Sequence, residues 1–155
     1  MARRSFIIGG LALTLAASTL SGQTNPPLHG AWAVVEDTPA RGPNAGKPMR
    51  QQPGIFVFTG RHYAVVRVLG ETPRQVTRKD PANPTVAELQ EENRIAAQGG
   101  TYEIKGDTIT YRRIAARSIA NMAPGNSAVD TFKIEGNTLT LTGPGGGQLK
   151  LTRLE

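Results

Sequence analysis

Apolar and polar residues alternate along three short stretches of this chain, strictly in the second and third, and each stretch folds about a glycine. The first covers residues 55–65 around Gly60, the second 102–111 around Gly106, the third 132–141 around Gly136. Alternation with a period of two marks a strand with one buried face. A glycine followed by a polar residue suits the type II′ turn, whose twist matches that of paired strands. Two-residue turns fix the register, so the facing pairs can be written down. Phe58 faces Tyr63 and Phe56 faces Val65; Ile104 faces Ile109 and Tyr102 faces Tyr111; Ile134 faces Leu139 and Phe132 faces Leu141. The alternate positions pair Glu103 with Thr110, Lys133 with Thr140 and Glu135 with Thr138. Each hairpin therefore has one apolar and one polar face, as a half-buried sheet requires.

Residues 31–36 read as a first strand and 148–154 as a last one, which brings the count to eight. The pattern predicts an all-β protein, an eight-stranded antiparallel meander barrel whose interior is the apolar set. Residues 37–53 carry Pro, Gly, Asn and Arg without an apolar period and form a long loop. Residues 70–84 are polar and contain Pro73, Pro81 and Pro84. Thr85 and Glu88 make a capping box, and Val86, Leu89, Ile95 and Ala96 form a thin apolar stripe that Gly99 and Gly100 end. These signals predict one short helix over 85–98, packed on the barrel exterior or across an opening. The second hairpin runs to about Ile114. Residues 115–128 form another long connection, with room for a helical turn, and 143–147 a flexible bend.

A meander places all three tight turns at one end and the long connections at the other. The first and last strands then bring Trp32 and Arg153 together near the tight-turn end. Arg153 shares the parity of Leu149 and Leu151, so it points inward. An arginine stacked on an indole there contributes about 1 to 2 kcal/mol when desolvated.

With 155 residues the chain has material for one domain. Residues 1–22 read as an export signal: Arg3 and Arg4, an apolar run too short to span a bilayer, then small residues. Arg3-Arg4-Ser5-Phe6-Ile7-Ile8 also resembles a twin-arginine motif, so Sec and twin-arginine routes both stand. The remainder, 23–155, is expected to be a single barrel domain, periplasmic or secreted, with no membrane anchor after signal cleavage. The sequence has no cysteine, hence no disulfide, thiolate metal site, thiol nucleophile or lipidated cysteine. Removing Arg3 and Arg4 from the 18 basic residues leaves 16 against 12 acidic ones. That mild excess is spread along the chain, densest at Arg74, Arg78 and Lys79 and then at Arg112, Arg113 and Arg117. Aromatics are too few to interleave with it, so the charges read as solvated surface and no nucleic-acid partner is expected.

The order Gly30-Ala31-Trp32, then Gly54 to Phe58, then Gly100-Thr101-Tyr102, then the leucine-rich strand from Leu149 to Arg153 resembles the bacterial lipocalin-like domains of the calycin group. The likeness spans nearly all of 23–155 and its motifs are structural. It implies a lipocalin-like barrel with Trp32 and Arg153 at the closed bottom. The tighter first hairpin turn and the polar stretch 70–84 depart from the family pattern and affect the mouth, not the barrel.

Two inward-parity arginines, Arg67 and Arg113, lie toward the loop end. Tyr102 and Tyr111 sit just below Arg113, with Phe56, Phe58, Tyr63 and Val65 deeper or beside them. An apolar cup with cationic and phenolic groups at its rim suits a small apolar or amphipathic anion, its carboxylate on arginine and its tail on the wall. The competing reading puts the arginines beyond the rim in solvent and the tyrosines in plain core. Glu36 has the parity of Trp32 and faces the mouth, where it would serve as a general base or simply pair with an arginine. Only His29 and His62 are present, which makes a poor metal or haem site, and no hydrolase elbow, phosphate loop or zinc-protease motif occurs. No catalytic residue, metal or cofactor is therefore assigned. Ligand binding without chemistry is the leading expectation. A cyclase or isomerase using Glu36, Tyr111 or an arginine in the same cavity is the second. A filled barrel whose loops bind a protein partner is the third.

Overall fold

The computed structural model describes residues 27–75 and 80–155. The export signal read over 1–22 lies outside the described residues, as do Arg78 and Lys79. In chain order the elements are β1 (Gly30–Thr38), β2 (Met49–Arg50), β3 (Gly54–Phe58), β4 (His62–Val68), α1 (Val86–Glu92), β5 (Ile95–Lys105), β6 (Thr108–Ala116), the 3-10 turn η1 (Ile119–Met122), β7 (Ser127–Glu135), β8 (Thr138–Thr142) and β9 (Gln148–Arg153). Each strand from β3 to β9 pairs antiparallel with the next, and β1 bridges β3 and β9. Eight strands thus close on themselves as an antiparallel meander barrel. The two-residue β2 is an addition inside the loop expected over 37–53; it pairs with β1 at Glu36 and Asp37.

Every hairpin pair predicted from turn length is present in the sheet. Gly106 and Gly136 have φ of +63° and +58°, while no non-glycine residue among the described residues takes a positive φ. A positive φ confined to the first central residue is the signature of a type II′ turn. The turn at Gly60 differs, because Gly60 is not among the positive-φ glycines. There the Thr59 amide donates to the His62 carbonyl at 2.9 Å. The Thr59 carbonyl, which a type II′ turn would offer to the His62 amide, instead accepts the Tyr102 hydroxyl at 2.7 Å.

The helix is half as long as its sequence signals implied. Thr85 caps α1 through the expected capping box with Glu88, but the helix ends at the Asn93 cap. Ile95 to Gln98 pair instead with Val68 to Val65 of β4. Their backbone groups join a ladder, and a helical continuation would have left the β4 edge unpaired. Arg94 fixes the junction, donating to the Leu69 and Thr72 carbonyls and pairing with Glu91. Gly99 and Gly100 lie within β5 rather than at a helix stop. A β-carbon on Gly99 would press to 3.2 Å from the Tyr63 carbonyl. Gly100 stands against a bulge at Ile114 of β6, where a β-carbon would collide with the Arg112 carbonyl.

The apolar set fills the lower barrel except for Ile104, which is exposed near the end of β5. Trp32, Ile109, Leu139 and Leu151 are fully buried, and Phe58 nearly so. At the tight-turn end the Arg153 guanidinium lies 4.0 Å from the centre of the Trp32 ring. It donates to the His29 carbonyl at 2.7 Å and the Pro27 carbonyl at 2.8 Å, while Trp32 Nε1 donates to the Leu28 carbonyl at 2.9 Å. The indole, the guanidinium and the entering chain close that end.

Candidate functional site

At the long-loop end the core stops short of the rim and leaves a cavity of about 310 Å³. Its floor is apolar: Phe56 of β3, Val65 of β4, Leu141 of β8 and Leu149 of β9. Its upper wall is polar. Arg67 comes from β4, Gln98 from β5, Arg113 from β6, Asp130 from β7 and Asp37 from β1.

Each side chain is placed by a local feature of its strand. Arg67 faces Gly54 across the β3–β4 pair, and a β-carbon on Gly54 would lie 2.5 Å from the Arg67 β-carbon. Its Nη1 donates to Asp37 Oδ2 at 3.1 Å, a partly buried ion pair that neutralises it. Arg113 has the inward parity of Tyr111 and pairs with Gly100 of β5 just before the Ile114 bulge. Its Nε donates to Gln98 Oε1 at 2.8 Å. The two terminal nitrogens of Arg113 have no hydrogen bond or ion pair among the described residues. Gly100 contributes by having no side chain: Tyr63 of β4 and Tyr111 of β6 meet edge to face across it, ring centroids 4.8 Å apart. Both hydroxyls are buried, with no hydrogen-bond partner among the described residues.

Burial dominates the electrostatics. It pushes the Tyr111 hydroxyl far above its ordinary titration range, and the neighbouring Asp130 charge adds to the shift. Tyr63 is raised for the same reason, against the lowering effect of Arg113. Burial also raises Asp130, again opposed by Arg113. The tyrosines therefore stay neutral, each able to donate and accept, beside a carboxyl group short of solvation.

Of the residues singled out from the sequence, Phe56, Tyr63, Arg67, Tyr111 and Arg113 line this cavity. Phe58 and Tyr102 do not. They pack edge to face beneath it at 5.4 Å, and the Tyr102 hydroxyl is held by Thr59. Glu36 lies outside the barrel, and the expectation that it faces the mouth is overturned. A bulge at Val35 sets Val34 opposite Leu151 and Glu36 opposite Lys150, which inverts the alternation. Glu36 Oε1 accepts from Lys150 Nζ at 2.8 Å on the outer surface. The inversion sends Asp37 into the cavity in its place. Asp37, Gln98 and Asp130 are thus lining residues that the sequence reading passed over. Asp130 was within reach, since it shares the parity of Phe132 and Ile134; Asp37 was hidden by the bulge and Gln98 by the overlong helix. Among the described residues no three His, Asp or Glu side chains converge to hold a metal ion. No helix among them is long and apolar enough to cross a membrane.

The same fold occurs in a lipocalin-like protein from Bacteroides uniformis ATCC 8492, 12% identical, with a TM-score of 0.52 over 82% of this chain and 98% of that one. It occurs also in an uncharacterized protein from Bacteroides eggerthii DSM 20697, 11% identical, with a TM-score of 0.50 over 81% of this chain and 98% of that one. No protein-family model matches the chain. No curated protein matches it either. At such low identity the likeness shows the fold, a lipocalin-like β-barrel.

Proposed function

We propose that this lipocalin-like barrel binds a small amphipathic ligand carrying an anionic group, in the cavity at its open end. The observation that carries the reading is the half-filled barrel itself. An apolar floor is topped by the unpaired terminal nitrogens of Arg113 and two buried, unpartnered phenols. The guanidinium would take a carboxylate by charge-assisted hydrogen bonds, and the floor would take the apolar part. At about 310 Å³ the space is at the small end for ligand sites, which favours an aromatic or short-chain acid over a long lipid. The arginine-led, apolar N-terminal segment supports export, and hence a ligand met outside the cytoplasm.

Native mass spectrometry of the mature protein, purified from cells that export it, tests the reading. A bound small molecule that Arg113→Ala releases is the expected result. A bare polypeptide mass, together with no uptake of apolar fluorescent probes, overturns it.

A second reading, chemistry in the same cavity, is favoured by Asp130, a cavity carboxylate whose proton affinity is raised by burial. As a general base it would act on whatever Arg113 holds. An extracted ligand that changes mass on incubation with wild type, and not with Asp130→Asn, is the outcome expected of an enzyme. An unchanged ligand removes this reading.

A further inference from the structure

The mouth of the cavity holds two oppositely charged pairs, and only one of them is closed. Arg67 and Asp37 touch at 3.1 Å. Arg113 and Asp130 do not, although they line the same cavity from the adjacent strands β6 and β7. The Arg113 charge lowers the proton affinity of Asp130, yet the two form neither a hydrogen bond nor an ion pair. Arg113 keeps two donor nitrogens unpaired, and the Asp130 carboxylate accepts no hydrogen bond among the described residues. The Tyr63 and Tyr111 hydroxyls behind them are likewise unpartnered.

Partly buried charge without a partner is unfavourable, so a good ligand must answer both signs. A plain acid would satisfy Arg113 and set its own negative charge beside Asp130. A plain amine would do the reverse. With Asp130 ionised the four mouth charges sum to zero, so no net charge of the mouth favours a plain anion over a plain cation. A molecule with an ammonium and a carboxylate on neighbouring carbons would answer both open groups at once. Its apolar side chain then lies on Phe56, Val65 and Leu141.

We propose that the cavity selects a small zwitterion with an apolar side chain, an α-amino acid or a close relative, holding its carboxylate on Arg113 and its ammonium on Asp130. This rests on the ligand-binding reading above and narrows it to a class. The tyrosine hydroxyls add donors and acceptors around the carboxylate, and the closed Arg67–Asp37 pair forms the opposite wall.

Calorimetry on the mature protein with four probes tests it: phenylalanine, leucine, 3-phenylpropionate and 2-phenylethylamine. Phenylalanine is expected to bind about tenfold or more tightly than 3-phenylpropionate and 2-phenylethylamine, because each of these leaves one partly buried charge unpaired. In the near-isosteric Asp130→Asn protein, phenylalanine is expected to fall to the level of 3-phenylpropionate, whose own affinity holds or rises. Equal or tighter binding of 3-phenylpropionate by wild type overturns the zwitterion and leaves the anion reading intact. Binding of none of the four also overturns it. In that case a ligand seen in the native mass spectrum keeps the broader reading, and a bare mass removes both.

Discussion

Tyr111 and Asp130 show what burial without a partner does to a single residue. Asp130 is raised above its ordinary value of 3.8, so the folded chain holds its proton at a pH where the unfolded chain has released it. Fewer protons bound in the unfolded state means that stability falls as pH rises through that window. Asp130→Asn is therefore expected to flatten the loss of stability as pH rises above about 4 and to leave the protein more stable at neutral pH, measured by urea unfolding across a pH series. Tyr111 obeys the same sign higher up: its stabilising contribution is lost as pH rises above 10. Tyr111→Phe is expected to change stability at pH 7 by no more than about 1 kcal/mol, since the hydroxyl has no partner to lose, and to lessen the alkaline loss. Trp32 is the opposite case, fully buried and fully partnered. Trp32→Ala is expected to remove about 3 to 5 kcal/mol in the same measurement, because both a large cavity and an uncovered guanidinium remain.

The tight turns separate cleanly when considered as elements. Alanine at Gly106 or Gly136 must adopt a positive φ, so each substitution is expected to cost about 1 to 2 kcal/mol. Gly60→Ala has an ordinary φ and open space, its nearest neighbour being His29 Nε2 at 4.0 Å, and is expected to cost less than about 0.5 kcal/mol. Chemical denaturation of the three variants decides it. The hairpins were legible from sequence because turn length and alternation state the same register twice, and Phe56 to Val65 had no other consistent partner. Residues 95–98 were not, because a run of three apolar side chains, Ile95 to Ala97, suits either period and only the waiting edge of β4 selects the strand. The Val35 bulge left no sequence signal at all. One extra residue exchanged Glu36 for Asp37 at the mouth, so barrel and floor could be read from the chain while Asp37 and Gln98 of the polar wall could not.

The molecule as a whole is divided along its axis into a sealed end and an open one. Trp32, the single tryptophan, belongs to the sealed end, while Arg113 and Asp130 belong to the other. Ligand at a hundred times its Kd is expected to raise unfolding stability by about 2.7 kcal/mol. Tryptophan emission is expected to shift only on unfolding, not on ligand addition; a spectral change on binding would mean that the sealed end responds to the mouth. Closure of β1 onto β9 also leaves no long strand edge free among the described residues, so the sheet completes its pairing within one chain. The same clamp settles how the barrel can be displayed. Arg153 holds the backbone of Pro27 and His29, and the Leu154 amide donates to the Ala31 carbonyl at 2.8 Å, so both ends of the described chain leave through the floor. A short tether attached at Pro27 or at Glu155 is therefore expected to leave from the sealed end, opposite the mouth.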